Sequence, residues 1–207
     1  MSSQTIPTRM TPDEYLEWEA TQEDRYEYID GEIRAMSGAT LDHNRIVMNI
    51  AGETRQCLQE SPCEGFTTSQ KVQTKAGLSV FYPDVLIVCE DLQEGRGNAI
   101  LNPIAIFEVL SPSTGRYDRC VKFERYRTIE NLQEYFLVHQ NKAMIEAYRR
   151  STDGTWDVSV YMVYVGLGAI FTVDSVGIKL PLKEIYRRVS LDALELPDGE
   201  ASEGPHD

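Results

Sequence analysis

An almost unbroken apolar run, AIFEVL at residues 105–110, stands out in the hydrophobic pattern of this chain. A strand that is apolar on both faces is typical of a sheet covered on both sides, so the run predicts a buried strand. Glu108 is the one charged position in it. Burying an ionised carboxylate costs several kcal/mol unless a cation accompanies it. Glu108 is therefore either half of a structural ion pair or a metal ligand.

The pattern before residue 60 predicts a helix, a hairpin and a second helix. Thr11, Pro12 and Glu14 stand in the order of an N-cap, a first helical residue and a capping-box partner. The Asp-Gly pair in YEYIDGEIRAM, residues 26–36, predicts the turn of a β-hairpin. Apolar residues then recur at helical spacing from residue 43 to residue 58, which predicts an amphipathic helix.

Strands dominate the remainder of the pattern. GFTTSQKVQTK and YPDVLIVCED predict two strands, with Gly77 in the turn between them. A helix is predicted at residues 114–129, after the apolar run, and EYFLVHQ is the strand that follows it. MIEAYRRS, WDVSVYMV, AIFTVDS and VGIKLPLKEIY then predict a meander of strands that ends in a short helix. Because a helical crossover makes the two strands that it joins parallel, the order predicts a mixed α/β fold.

Composition is that of an ordinary globular protein. The 207 residues are 42% hydrophobic and 26% charged, and we assign residues 1–196 to a single domain. Residues 197–207, acidic with Pro, Gly and Ser, are expected to form a disordered tail. No apolar stretch approaches the length of a membrane span, and the N-terminus lacks the layout of a secretion signal. We therefore expect a cytoplasmic protein without membrane contact.

The four cysteines form no CxxC pair and have no matched histidine spacing. Neither a zinc site nor a disulfide framework is indicated. We expect all four cysteines to be reduced thiols that are half-buried or in the core.

The net charge of the chain and its local charge give different indications about nucleic-acid binding. The formal charge of −13 argues against nonspecific adhesion to nucleic acid, whose phosphates dominate such binding. Residues 115–127 nevertheless hold five basic residues against two acidic ones. This local excess of positive charge is a clue to a phosphate-bearing partner.

Two carboxylates on neighbouring strands would suit a divalent cation. Asp84 precedes the apolar strand VLIVC, and it shares one strand face with Leu86, as Glu108 does with Leu110. If the strands are neighbours about 4.8 Å apart, both carboxylates reach one cation. Mg²⁺ accepts two hard oxygen ligands with water completing its shell.

The predicted helix adds a possible third group. Asp118, Lys122 and Tyr126 are four residues apart and line one helix face, from which Lys122 could point back over the strand ends.

These motifs resemble a known superfamily. YPD, EVLSPST, RYDRCVKFERY and EYFLV, in this order and over most of the chain, are similar to the PD-(D/E)XK, or restriction-endonuclease-like, nucleases, and within them to a large bacterial family of uncharacterised endonucleases. The resemblance implies a mixed β-sheet core flanked by helices, with added antiparallel strands. It also implies a hydrolase that cleaves phosphodiester bonds of DNA with Mg²⁺ or Mn²⁺, as a homodimer.

The resemblance also assigns residues. Asp84 and Glu108 match the two metal-binding carboxylates, and the superfamily lysine, two residues after the glutamate, is replaced here by Leu110. Some members supply that lysine from a neighbouring helix, which makes Lys122 the candidate. The Val109 carbonyl is a further candidate for the metal.

Three residues are candidates of the second rank. Glu32 is a possible additional metal ligand, and His43 a possible proton donor or phosphate contact. Gln70, expected on the strand before Asp84, could position the attacking water or Lys122.

Two alternatives stay open at this point. Leu110 at the lysine position and the net charge of −13 fit a degenerate nuclease fold that binds nucleic acid or protein without cutting. A regulatory or toxin-like interaction module could instead offer its acidic surface to a basic partner.

Overall fold

The computed structural model describes residues 9–36, 38–74, 79–89, 91–111, 115–157 and 161–192. The predicted turn at Gly77, the predicted helix start at Thr114 and the predicted tail at 197–207 lie outside these residues.

Four helices occur in the described ranges, and none of them is long and apolar enough to cross a membrane. They are α1 (Pro12–Glu19), α2 (Leu41–Cys57), α3 (residues 115–126) and α4 (Leu182–Ile185), with short 3₁₀ segments at Arg96–Asn98 and Asp174–Val176.

The first two helices begin where hydroxyl side chains cap them. The Glu14 amide donates a 3.3 Å hydrogen bond to the Thr11 hydroxyl, and the Thr11 amide donates to the Glu14 carboxylate at 2.8 Å. This reciprocal pair confirms the predicted capping box. Thr40 caps α2 by accepting from the His43 amide at 3.1 Å.

The helix predicted at 114–129 is shorter and less regular than expected. Within α3, an α-helical turn at Gly115–Tyr117 leads into a π-helical segment, Asp118–Lys122, and then into an α-helical turn, Phe123–Tyr126. The Thr128 hydroxyl donates to the Arg125 carbonyl at 2.7 Å just after the helix ends. A π-helical turn is wider than an α-helical one and frequently marks a functional position.

The strands form three sheets. Their bounds are β1 (Tyr26–Ile29), β2 (Glu32–Ala35), β3 (Cys63–Thr67), β4 (Val72–Gln73), β5 (Ser79–Phe81), β6 (Val85–Cys89), β7 (Ala105–Leu110), β8 (Glu134–His139), β9 (Met144–Arg149), β10 (Met162–Val165), β11 (Ile170–Val173) and β12 (Ile178–Pro181).

The main sheet has six strands in the order β10-β9-β8-β7-β6-β3. β7 and β8 are parallel, as the helical crossover predicts, and the other pairs are antiparallel. A four-stranded sheet, β2-β1-β5-β4, contains the predicted hairpin, and β11 pairs with β12. The architecture confirms the expected mixed core with helices and added antiparallel strands.

One predicted strand is wrong in its extent. GFTTSQKVQTK divides into β3 and β4, which belong to different sheets because a turn after residue 67 redirects the chain. Gln70 therefore lies in that turn and not on a strand.

The main sheet is covered on both faces, which explains the apolar run at 105–110. Phe107 and Phe136 pack on one face with Ile46 and Ile50 of α2. Ile106 and Leu137 pack on the other with residues of α3.

Two cysteines contradict the expectation of four reduced thiols. Cys63 of β3 and Cys89 of β6 are cross-strand neighbours, with Cα atoms 3.9 Å apart, and form a disulfide. The antiparallel register brings them together, and cysteine spacing alone does not reveal it. Cys57 and Cys120 are free thiols, and both are exposed.

The packing of α2 gives a test of the core. Ile50 is fully buried, whereas Met48 on the same helix is 69% exposed. Because Ile50→Ala leaves a cavity, we expect it to lower the free energy of unfolding by about 2–5 kcal/mol in urea titrations. Met48→Ala, the matched control, should change it by less than about 0.5 kcal/mol, and equal effects of the two would contradict the assigned orientation of α2.

Candidate functional site

Asp84 and Glu108 lie side by side at the end of two paired strands. Val85 of β6 is opposite Phe107 of β7, so Asp84 and Glu108 occupy the next position of the same antiparallel register. Residues opposite each other project from the same face of a sheet. The Val109 amide also donates a 2.7 Å hydrogen bond to Asp84 Oδ2, which fixes that carboxylate against β7.

Lys122 and Tyr126 of α3 reach down to Glu108. Lys122 Nζ and the Tyr126 hydroxyl donate to Glu108 Oε1 at 3.1 and 2.9 Å. Glu108 and Lys122 are almost completely buried. Leu110, at the position of the superfamily lysine, is packed in the core, and an ammonium group from the helix lies beside the glutamate instead.

Two further carboxylates surround the same ammonium group. Lys122 Nζ lies 2.8 Å from Glu27 Oε1 and 3.7 Å from Asp118 Oδ1. Glu27 is buried in β1, and Asp118 begins the π-helical segment that ends at Lys122. We call Glu27, Asp84, Glu108, Asp118 and Lys122 the acidic cluster.

The charges of the acidic cluster change one another's ionisation. Burial raises the pKa of Glu108 well above its usual range; the charge of Lys122 opposes this, and those of Asp118, Asp84 and Glu27 add to it. Burial alone would lower the pKa of Lys122, but Glu108, Glu27 and Asp118 outweigh it and raise the pKa well above its usual range. Lys122 is therefore an ammonium ion, and the cluster favours additional positive charge.

His43 extends the acidic cluster at its more accessible end. Its Nε2 lies 3.3 Å from Asp84 Oδ2. Burial would lower the pKa of His43, but the hydrogen bond and charge of Asp84, together with the charge of Asp118, raise it above its usual value. His43 is thus half-buried at the edge of the site, beside the buried Asp84.

Two of the candidate residues are not brought to this place. Glu32 is exposed on β2, and its carboxylate makes no hydrogen bond or ion pair with a described residue. The Gln70 amide donates to the Asn98 carbonyl of a neighbouring loop. The geometry thus supports neither Glu32 as a ligand nor Gln70 as a positioning residue.

Glu27 is the carboxylate that sequence reasoning missed. It stands in the same hairpin as Glu32, and the two differ because Glu27 is on the inner strand of the pair, beside β5. The only signal in the sequence was its place between two tyrosines, Tyr26 and Tyr28, in an otherwise apolar strand.

The basic stretch at 115–127 is largely neutralised. Arg119 pairs with Glu146, Arg125 with Asp30, and Arg127 with Glu124. Since Lys122 is held in the acidic cluster as well, four of the five cations have carboxylate partners. The stretch is therefore not the free phosphate-binding patch that its composition suggested.

Glu146 continues the row of Asp84 and Glu108 across the sheet. Glu108 is opposite Leu137, and Leu137 is opposite Glu146. Arg119 Nε donates to Glu146 Oε2 at 3.2 Å, and His139 Nε2 lies 2.6 Å from Oε1. Burial raises the pKa of Glu146, but the hydrogen bonds of His139 and Arg119 outweigh it and lower the pKa to about 2. This ion pair ties α3 to β9 one turn before Lys122.

Metal-binding capacity rests on few groups. Within the described ranges, no three His, Cys, Asp or Glu side chains are placed together in a way that could hold a metal ion. A cation here would depend on Asp84 and Glu108, with the remaining ligands from water or backbone, as Mg²⁺ allows.

The mixed sheet, with two carboxylates in one row beneath a lysine from the crossover helix, defines the class as a restriction-endonuclease-like nuclease fold. The profile of the Uma2 family, described as "Putative restriction endonuclease", matches residues 12–183. The chain therefore belongs to the Uma2 family.

Individual relatives agree with this assignment. The chain is 32% identical to the "Uncharacterized protein slr1290" of Synechocystis sp. over 86% of its own length and 92% of that protein. It is 34% identical to "Uncharacterized protein sll1609" of the same organism over 71% and 84%. The crystal structure of "a putative nuclease" from Anabaena variabilis matches 86% of this chain and 97% of that one, with a TM-score of 0.68 at 18% identity. This last likeness concerns the fold.

The lowered pKa of Glu146 predicts a pH-dependent contribution to stability. A carboxylate whose pKa is depressed on folding stabilises the protein above its unfolded pKa, near 4.5, and loses that effect as pH falls towards about 2. We expect Glu146→Gln to lower the free energy of unfolding by about 1–2 kcal/mol at neutral pH, a figure reduced for the exposure of Arg119.

Urea titrations at several pH values check this expectation. The difference between native and variant should narrow below pH 4.5. Glu124→Gln, which removes an exposed ion pair with Arg127, is the control and should have little effect at any pH. A difference for Glu146→Gln that stays constant down to the lowest pH would contradict the assignment.

Proposed function

We propose that this chain is a Mg²⁺- or Mn²⁺-dependent endonuclease that hydrolyses phosphodiester bonds of DNA and acts as a homodimer, one site for each strand. The observation that carries the proposal is the position of Lys122 Nζ, 3.1 Å from Glu108 Oε1, which returns a cation to the side of the glutamate after the superfamily lysine has been lost. Family membership supports the reaction class.

The chemistry of the acidic cluster suits a divalent cation. Three carboxylates surround one ammonium group in a buried place, and a fourth, Asp84, lies beside Glu108. The mutual repulsion of these four carboxylates favours a second positive charge. Asp84 and Glu108 are the proposed ligands, with the Val109 carbonyl as a further candidate. When bound, the metal would supply Lewis-acid stabilisation of the charge that develops on the phosphate.

Lys122 acts in this proposal by its charge and not as a base. With a pKa raised well above its usual range, it is protonated at neutral pH. Its ammonium group donates to Glu108 and can donate to the attacking water or to a phosphate oxygen. Because Tyr126 also holds Glu108, the carboxylate stays in place when Lys122 turns towards the substrate.

The half-buried position of His43 supports a contact with substrate. It is partly exposed beside Asp84 and belongs to α2, which packs on the opposite face of the sheet from α3. We assign to it a hydrogen bond to a phosphate oxygen at the open end of the site. Glu27 and Asp118 are positioning residues, since they contact Lys122.

Loss of either metal ligand should abolish the reaction. We expect Asp84→Asn and Glu108→Gln to lower the rate of Mg²⁺-dependent cleavage of plasmid and linear duplex DNA by roughly a hundredfold or more. Each should also weaken Mn²⁺ binding, measured by calorimetry, by at least about tenfold. The amide variants keep the size of the side chains.

Glu32→Gln is the matched control, because Glu32 is an exposed carboxylate from the same protein that does not reach the acidic cluster. It should leave metal binding and cleavage unchanged. Cleavage retained in both ligand variants would refute the metal assignment. DNA binding without any cleavage by the native chain would favour the degenerate, non-cutting fold.

The charge and the position of Lys122 can be tested separately. Lys122→Met leaves buried carboxylates without their cation, so it should destabilise the fold by about 3–5 kcal/mol and stop cleavage. Lys122→Arg keeps the charge, and we expect a folded protein that binds DNA but cleaves it at least about tenfold more slowly.

Thermal unfolding and single-turnover cleavage distinguish these effects. Lys183→Met, at an exposed position of α4, is the control for loss of one positive charge. Native rates of hydrolysis in both Lys122 variants would show that the helix lysine has no part in the reaction.

A further inference from the structure

A groove beside α2 carries positive charge that is not part of the acidic cluster. A surface groove of about 470 Å³ lies between the first half of α2 and the turn after α4. It is lined by Leu41, Asn44, Arg45, Met48, Asn49, Arg187 and Arg188, and we call it the arginine groove.

Two of the cations in this groove have no carboxylate partner among the described residues, whereas most cations of α3 have one. Arg187 and Arg188 are exposed, and their guanidinium groups make no hydrogen bond or ion pair with any residue in the described ranges. Arg45 has one partner, the Asp42 carboxylate at 2.7 Å, and remains 45% exposed. In a chain with a net charge of −13, this groove is a basic island.

The turn that presents these arginines is held in a defined conformation. The Asn49 side-chain amide donates to the Ile185 carbonyl at 2.9 Å and to the Arg187 carbonyl at 3.1 Å, which binds the end of α4 to α2. Arg188 has a φ of 63°, a left-handed conformation that is unfavourable for a residue with a side chain. Strain of this kind persists only where surrounding contacts impose it.

The groove also exposes apolar surface beside the charges. Leu41 and Met48 are 74% and 69% exposed, the largest values among the exposed large apolar side chains of the described residues. They flank Asn44 and Arg45 along one stripe of α2. A strip of cations, an amide and apolar carbon matches a sugar–phosphate chain, in which anionic phosphates alternate with less polar sugars.

The same helix connects the groove to the acidic cluster. His43, beside Asp84, precedes Asn44 and Arg45 in the first turns of α2. The groove and the acidic cluster are therefore both in contact with the first turns of this helix.

We propose that the arginine groove binds the sugar–phosphate backbone of duplex DNA at phosphates other than the one at the bond that is cleaved, with Arg187 and Arg188 each neutralising one phosphate. This inference rests on the proposed function, because it assigns to that reaction the surface that positions its substrate. Contacts to phosphates fix the register of a protein on DNA without reading sequence. Arg45 and Asn44 add the contacts nearest to the acidic cluster.

Salt dependence of binding tests the groove directly. Fluorescence anisotropy with a labelled duplex, in EDTA so that no cleavage occurs, gives Kd over a range of KCl concentrations. Each lost phosphate contact should lower the slope of log K against log salt by about 0.9, so Arg187→Gln with Arg188→Gln should lower it by about 1.8. The weakening caused by this double variant should accordingly shrink by roughly tenfold between about 50 and 200 mM salt.

The matched control removes the same total charge elsewhere. Arg55 and Lys179 are exposed and lie outside the groove, and Arg55→Gln with Lys179→Gln should leave the slope nearly unchanged. A slope of the Arg187 and Arg188 variant equal to that of the control overturns the inference and leaves the groove to a protein partner. Absence of any duplex binding by the native chain overturns it as well.

Cleavage assays with Mg²⁺ separate this inference from the proposed function. Arginine-dependent binding without hydrolysis would support the groove and refute the nuclease proposal. Hydrolysis with an unchanged salt slope would refute the groove and leave the nuclease proposal intact. Where both hold, the double variant should raise KM more than it lowers kcat, since the groove lies away from the reacting phosphate.

Discussion

The buried ammonium group of Lys122 is the interaction on which the rest of the site depends. It links β1, β7 and α3 through Glu27, Glu108 and Asp118, three carboxylates that would repel one another without it. Burying such a charged cluster costs free energy. Removing one of its members destabilises the fold by more than the complete cluster stabilises it, because the remaining charges lose their partner. Its value is geometric, because only one arrangement of these elements satisfies all of the charges.

The loss of the superfamily lysine at residue 110 becomes intelligible in this arrangement. Leu110 fills the apolar core beneath α3, and the helix above it provides the cation from a different direction. The π-helical segment that ends at Lys122 changes the spacing of the helix at this point. Arg119, at the start of that segment, is tied to Glu146 of β9, so the wider turn is held at both ends.

The positive charges of α3 and those of the turn after α4 differ in whether carboxylates neutralise them. On α3 most cations have carboxylate partners and serve to hold elements together. On the turn after α4, Arg187 and Arg188 face solvent without partners among the described residues. In an acidic chain, long-range attraction to nucleic acid is weak, and binding depends on where the few free cations are placed.

Local patterns in the sequence determined much of the architecture. The capping box at Thr11, the Asp-Gly hairpin, α2 and the doubly covered strand around Glu108 follow from rules that act over a few residues. The crossover between β7 and β8 likewise determined their parallel pairing. The motifs around Asp84 and Glu108 pointed to the family, and the resemblance to members that supply the lysine from a neighbouring helix singled out Lys122.

Tertiary packing decided which of the remaining polar groups came together. Patterns that extend over a few residues do not distinguish Glu27 from Glu32. Only Glu27 contacts Lys122 of α3, because strand order in the smaller sheet is set by long-range contacts. The division of residues 63–73 between two sheets, the Cys63–Cys89 pairing and the neutralisation of the basic stretch have the same origin. Charged residues that are far apart in sequence interact only when folding buries them next to each other. Which of them become neighbours depends on the packing of the whole chain.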